Sequence, residues 1–235
     1  TSGEVKIRTS FMKVDEQREL AFEPQFYDDN RQGEFGYFRT ERVTYDRRRG
    51  ATHSGVIYLA NRHDMWESAY DTKGELIAPK DRKLRPIVYH LSPNYPKEMI
   101  PVSEQIARDW DKTFKETAAA MRGQTIEQLT ADLVDQTGGE CLYCLGANED
   151  GSKRIGDLRY NFIYWVDTPQ LVSPLGYGPS SGHPETGRIV AGMAYVYGAA
   201  VDSYAQSAQD MVDALNGDLS DDDFIGADFI RREIT

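Results

Sequence analysis

The stretch Tyr160-Asn-Phe-Ile-Tyr-Trp-Val166 carries the clearest fold signal in this chain of 235 residues. It is rich in aromatic and β-branched residues, and its apolar side chains alternate over both faces of a β-strand. A strand that is apolar on both faces normally lies in the middle of a sheet that is covered on both sides. We therefore expect residues 160–166 to form a central strand.

Two helices are predicted upstream of this strand. The first begins near Val102 and ends at Gly123, and the second begins at Thr125-x-x-Gln128, which resembles a capping box, and ends at Gly138-Gly139. Spacings of four, four, four and three residues predict that one face of the first helix is apolar. The residues of that face are Ile106, Trp110, Phe114, Ala118 and Met121.

A strand and a helix are also predicted downstream. After a loop rich in proline and glycine, residues 188–197 have the pattern of a strand, and Ser203–Leu215 that of a helix. The helix should turn its apolar residues inward, namely Tyr204, Ala208, Met211, Val212 and Leu215.

The first 90 residues are predicted to be rich in β-structure. Strands are expected at 4–14, 35–45, 56–59 and 86–91, turns at 28–30 and 47–55, and a helix only around 64–70. The chain is therefore predicted to have the α+β class, with a β-rich N-terminal module at 1–85 and a mixed sheet-and-helix unit at 86–235. Charge supports two units, because residues 1–100 hold 17 basic and 16 acidic side chains, against 10 and 22 in residues 101–235.

Composition excludes several classes of protein. The chain is 40% hydrophobic and 28% charged, with ordinary amounts of glycine and proline, which argues against collagen-like and wholly disordered proteins. A net charge of −11 argues against a nucleic-acid partner. The longest uncharged apolar run, 191–201, is too short for a transmembrane segment, and none is predicted.

Three candidate sites can be read from the residues alone. Cys141 and Cys144 could form a redox pair, half of a zinc site or a local disulfide, and a structural role is favoured because no helix is predicted to begin there. His63 and Glu67 have the i, i+4 spacing of metal ligands on a helix, but without a second histidine a solvated polar pair is expected. His183 lies among turn residues and is expected to stabilise its loop.

Several segments, in this order along nearly the whole chain, resemble the N-terminal part of a family of large bacterial zinc-dependent metalloproteases. Members of that family are secreted or anchored in the outer membrane, often as lipoproteins, so the resemblance implies an extracellular or outer-membrane location. The segments are 8–14, 35–46, 58–62, 86–90, 100–116, 157–165 and 176–189.

The resemblance implies a zincin-like fold for the second unit, with an edge strand along a substrate cleft and a zinc-binding helix that bears HExxH. Residues 188–195 would be that edge strand, to which an extended peptide substrate could add through backbone hydrogen bonds. The substrate-binding residues implied on it are Arg188, Ile189, Ala191, Met193 and Tyr195. Gly178, Pro179 and Ser180 would shape the loop at one end of the cleft.

The chain departs from the family at its most important point. It holds no HExxH, and none of its histidines, at 53, 63, 90 and 183, lies in that pattern, so no catalytic residue is carried over. Phe229–Thr235 contains no residue that would end a helix or strand, which favours the interpretation that the chain is a fragment. The expectation is a non-catalytic portion of a zinc metallopeptidase, with no cofactor in this chain and zinc in the complete enzyme.

The partner implied is the remaining C-terminal half that carries HExxH, or another chain of an extracellular assembly. The alternative function is an extracellular structural or interaction protein that kept the fold without the chemistry. A third option is a redox module that uses Cys141 and Cys144.

Overall fold

The computed structural model describes residues 7–13, 16–46, 48, 50–170 and 174–218. The terminal segment Phe229–Thr235, on which the fragment interpretation drew, lies outside these residues. The described part contains helices and a mixed sheet, so the α+β class is confirmed. None of its helices has the length and apolar character needed to cross a bilayer.

Thirteen α-helices and β-strands, with two short 3-10 helices at Pro79–Asp81 and Lys97–Met99, make up the described part. In chain order they are α1 (Glu16–Leu20), α2 (Asp29–Phe35), β1 (Arg39–Asp46), β2 (Gly50–Ala60), β3 (Ile87–Leu91), α3 (Ile100–Arg122), α4 (Ile126–Thr137), β4 (Tyr143–Gly146), β5 (Asn161–Val166), β6 (Gly176–Tyr177), β7 (Ser180–Gly182), β8 (Ile189–Tyr197) and α5 (Gly198–Asn216).

The main sheet has six strands, in the order β4-β3-β5-β8-β6, with β7 also paired to β8. The first four strands of that order are parallel, whereas β6 and β7 run antiparallel to β8. The strand predicted at 160–166 is β5, and its central position between β3 and β8 is confirmed. Phe162 and Trp165, on its two faces, are both buried.

The ends of α3 and α4 are confirmed, because local capping determines them. Thr125 and Gln128 form the reciprocal bonds of a capping box, and Gly123 and Gly138 adopt the left-handed conformation that ends each helix. The predicted apolar face of α3 is buried only in part, at Ala118 and at Phe114, which packs against the core. Trp110 is 51% exposed, and Ile106 and Met121 are exposed as well, whereas the small residues Ser103, Ala107, Ala118 and Ala119 are buried.

One hydrophobic core joins residues from both predicted units. Trp66 and Leu84 pack in the same cluster as Leu129 and Leu133 of α4 and Leu142. The boundary predicted at residue 85 therefore does not coincide with a break in this core.

The N-terminal part holds more helix than predicted. Residues 64–70 are not helical, whereas α1 and α2 are. The turn predicted at 28–30 is instead the start of α2, because the Asp28 side chain caps it by accepting a hydrogen bond from the backbone N–H of Arg31 (3.0 Å). A strand was predicted at 4–14, but residues 7–13, the described part of that range, form no strand. A turn was predicted at 47–55, but β2 already begins at Gly50.

The prediction that α5 turns its apolar side chains inward is wrong. Leu215 is 83% exposed, and Tyr204, Met211 and Val212 are exposed too. α5 follows β8 directly and contacts the sheet beside β5.

Candidate functional site: the antiparallel edge of the sheet

The edge strand differs from the one expected. The strand predicted at 188–195 corresponds to β8, which pairs with β5 on one side and with β6 and β7 on the other. Residues 176–182 therefore form the edge in its place. A peptide cannot add to β8, because intramolecular hydrogen bonds already occupy both of its sides.

The hydrogen bonds to β8 show which backbone groups of this edge face outward. The N–H groups of Met193 and Tyr197 donate to the carbonyls of Pro179 (2.9 Å) and Leu175 (3.1 Å). In an antiparallel pair, residues that bond to the partner alternate with residues that do not. Gly176, Gly178 and Ser180 thus direct their N–H and C=O groups away from β8, and no described residue bonds to these groups. We call this row of three residues the open edge.

The open edge has a smooth and an aromatic face. Tyr177 lies opposite Tyr195 and stacks on it, with ring centroids 6.4 Å apart and planes 14° apart, and Tyr164 meets Tyr195 edge-on. On the other face, which also carries α3, the open edge presents only two glycines and the small Ser180. Neither glycine has a positive φ, so the row is ordinary extended strand.

The predicted substrate-binding residues fall into two groups. Gly178, Pro179 and Ser180 lie in the edge itself, between and within β6 and β7. Arg188, Ile189, Ala191, Met193 and Tyr195 lie one strand inward or just before it. Of these, Arg188 and Ala191 are buried, so neither side chain lines an open cleft.

Arg188 has a structural partner that the sequence did not reveal. Its guanidinium, 3% exposed, donates to both carboxylate oxygens of Glu19 in α1, which is 9% exposed. Burial alone would raise the pKa of Glu19, but the hydrogen bonds and the positive charge of Arg188 lower it overall. The two residues are 169 positions apart, and no local pattern joins them.

His183 belongs to the same buried cluster. Its Nδ1 lies 3.5 Å from a carboxylate oxygen of Glu19 and 3.3 Å from the hydroxyl of Thr186, and it accepts a hydrogen bond from the backbone N–H of Glu185. The backbone N–H of His183 donates to the carbonyl of Arg188. His183 therefore stabilises the turn between β7 and β8, at the wall of an open cleft of about 1110 Å³.

His63 is not part of a solvated pair with Glu67. Its Nε2 lies 3.0 Å from the hydroxyl of Tyr89, and burial lowers the pKa of His63 to about 4. Burial also raises the pKa of Tyr89. The tyrosine hydroxyl fits here because Gly192 has no side chain, since a Cβ at that position would overlap the hydroxyl.

Cys141 and Cys144 are joined by a disulfide, with their Cα atoms 5.5 Å apart. Of the three alternatives that the sequence left open, the structure has the local disulfide. It lies at the start of β4, where the Asp111 carboxylate of α3 accepts hydrogen bonds from the backbone N–H groups of Leu142 (2.6 Å) and Tyr143 (3.0 Å).

Over residues 7–13, 16–46, 48, 50–170 and 174–218, no three His, Cys, Asp or Glu side chains lie close enough together to hold a metal ion. The zinc that the resemblance implies is expected on the other half of the complete enzyme.

The fold and the open edge define an α+β protein whose mainly parallel sheet ends in antiparallel strands. Comparison of the chain with protein-family models, with curated proteins and with solved structures finds no match.

Proposed function

We propose that this chain is the non-catalytic portion of a zinc-dependent metallopeptidase, and that it supplies the sheet and the edge along which a peptide substrate lies. The observation that supports this proposal is the open edge, with its outward N–H and C=O groups at every second residue from Gly176 to Ser180. An extended peptide can pair with such a row by β-augmentation.

The small residues of the open edge suit this role. A peptide that pairs with Gly176, Gly178 and Ser180 meets no large side chain on the face that carries α3. On the opposite face, Tyr177 and Tyr195 form an aromatic surface against which alternate side chains of the peptide can pack. The backbone would supply affinity, and this aromatic surface would supply preference for apolar residues.

The chemical step would belong to the remaining half of the enzyme. In the complete protein, zinc held by HExxH on that half would activate the water that attacks the peptide carbonyl. This chain alone is expected to hydrolyse no peptide. Its own contribution would be to hold the substrate backbone in one register.

Isolation of the protein from its natural source tests the enzymatic part of the proposal. Native mass spectrometry with zinc determination should find a second polypeptide and about one zinc per complex, together with peptidase activity. A particle that contains only this chain, without zinc and without activity, would rule the metallopeptidase out.

Two variants of Gly178 in the complete enzyme test the edge. Gly178→Pro removes one outward N–H group and leaves the bonds to β8 in place, so KM for a long peptide should rise about fivefold, the value of one hydrogen bond. Gly178→Ala is the matched control, because its Cβ would meet only the carbonyl oxygen of Met193, at 3.7 Å. An unchanged KM in Gly178→Pro would show that the open edge does not bind the substrate.

A second candidate is an extracellular interaction protein that uses the same fold without chemistry. The exposed apolar side chains of α5, including Tyr204, Met211 and Leu215, favour it, since such surfaces often mark protein contacts. A stable complex with a partner that lacks HExxH would support this candidate over the peptidase.

A further inference from the structure

A small cleft lies away from the open edge, between the loop that follows β3 and the segment that connects β4 to β5. Its volume is about 370 Å³, within the range of small-molecule sites. The half-buried ring of Tyr164 of β5 contributes apolar surface to it, with the buried Phe162 beneath, and Arg8, Lys153 and Arg154 surround it.

The charge of this cleft is opposite to that of the chain. Three of its ten lining residues are cationic and none is anionic, although the net charge of the protein is −11. The larger cleft beside His183 has the reverse balance, with Arg42 its only basic residue among several carboxylates. Positive charge is thus concentrated at the small cleft.

The loop that carries Lys153 and Arg154 is held in place by buried bonds. The side chain of Asn148, which is buried, accepts from the backbone N–H of Lys153 (3.0 Å) and donates to its carbonyl (2.9 Å). The Asp150 carboxylate accepts from the backbone N–H (3.1 Å) and hydroxyl (2.9 Å) of Ser152. The backbone that carries Lys153 and Arg154 is therefore held in place, which reduces the entropy cost of ordering the loop on binding.

Arg8 closes the cleft from the N-terminal segment. Its guanidinium donates to the carbonyl of Ile155 (3.0 Å), and the hydroxyl of Ser10 donates to the carbonyl of Gly156. This arrangement places the guanidinium beside the loop, where it also interacts electrostatically with the carboxylate of Asp157.

The other two cations differ in how far their charge is compensated. No described residue forms an ion pair or a hydrogen bond with the guanidinium of Arg154, which is exposed. The ammonium of Lys153 contacts the carbonyl of Ala147 at 3.4 Å and the ring of Tyr160 at 6.0 Å, and it interacts electrostatically with the carboxylate of Asp150. The nearby carboxylate of Asp157 is bound by Arg159, whose hydrogen bonds lower the pKa of Asp157 to about 2.

We propose that this cleft binds a small organic anion, in which a carboxylate or phosphate is attached to a planar apolar group. The two guanidiniums match the oxygens of such anions through paired hydrogen bonds, and the ammonium adds a point charge. The planar group packs on the ring of Tyr164, which is half-buried. This proposal does not depend on the proposed function, because neither the open edge nor zinc takes part in it.

Isothermal titration calorimetry on the 235-residue chain tests the site, with phenyl phosphate, benzoate and inorganic phosphate as probes. One of the two aromatic anions should bind at a single site, at least about fivefold tighter than inorganic phosphate. Tighter binding of phenyl phosphate would identify the natural ligand's anionic group as a phosphate, and tighter binding of benzoate would identify it as a carboxylate. Arg154→Gln should weaken that binding about tenfold or more, the effect of one charge-assisted hydrogen bond. Lys153→Gln, a second variant at the rim, should weaken it as well.

Arg108→Gln is the matched control, because it also removes one exposed positive charge, on α3 away from the cleft. It should leave binding unchanged, and all variants should keep the wild-type melting temperature. Three results would overturn the proposal: no binding of either aromatic anion below about 10 mM, equal binding by Arg154→Gln and wild type, or inorganic phosphate binding as tightly as the aromatic anions.

Discussion

The buried ion pair between Glu19 and Arg188 offers the sharpest test of how this fold is held together. It joins α1 to the residue just before β8, and both side chains are almost inaccessible to water. We predict that Glu19→Gln destabilises the protein strongly, because it leaves a buried guanidinium without its counter-charge.

The size of the effect follows from the burial of the pair. Removal of one partner from a buried ion pair costs about 3 to 5 kcal/mol. Glutamine keeps one carbonyl oxygen that can accept from Arg188, so we expect about 3 kcal/mol, at the lower end of that range. For a protein of this size, such a loss lowers the melting temperature by about 6 to 12 °C.

Urea unfolding followed by circular dichroism measures the change, and a double variant separates charge from packing. Replacement of both partners, Glu19→Leu with Arg188→Met, fills similar volume without burying a charge, so it should cost less than Glu19→Gln alone. Glu16→Gln on the same short helix is the control, because Glu16 is exposed and should change stability by less than about 0.5 kcal/mol.

Two results would refute this reasoning. If Glu19→Gln costs no more than Glu16→Gln, then the pair contributes no net stability in solution. If the double variant is less stable than Glu19→Gln, then the specific hydrogen bonds of the pair, and not the isolated charge, determine the loss.

Two further predictions concern His63 and the leucines. His63 has a pKa of about 4 in the folded protein and about 6.5 when unfolded, so the unfolded chain binds more protons between these values, and stability should fall by at most about 3 kcal/mol as the pH drops from 6.5 to 4. Urea unfolding of His63→Gln should lack this component, and an identical pH profile would contradict the buried position. Leu133→Ala should cost about 2 to 5 kcal/mol, because Leu133 is 0% exposed, whereas Leu215→Ala should cost less than about 0.5 kcal/mol; a large loss from Leu215 would show that α5 is packed in solution.

Features with local causes could be predicted from the sequence. The ends of α3 and α4 follow from Gly123, Gly138 and the capping box of Thr125 with Gln128, in which each bond spans only a few residues. The central position of β5 follows from the alternation of apolar residues within one short stretch. In each case the interacting groups are neighbours in the chain, so their spacing alone carries the information.

The sequence was less informative about which faces are buried. Hydrophobic periodicity finds the apolar stripe of α3, yet Trp110 and Met121 of that stripe are exposed, whereas Ala107 outside it is buried. The same periodicity in α5 predicted an inward face that the described residues do not cover. A pattern shows that a face is apolar, and only the neighbouring elements show whether it is buried.

The candidate site depended most on tertiary structure. By itself the sequence determined the local helix ends, the central strand and the small residues Gly176, Gly178 and Ser180 of the open edge. Only the tertiary structure decided that these residues, and not β8, form the margin of the sheet, and that Glu19 neutralises Arg188. The physical reason is that strand order joins segments that are not adjacent in the chain, and the buried charge pair joins residues 169 positions apart. The free energy of such contacts depends on the packing of the whole chain and not on any local spacing.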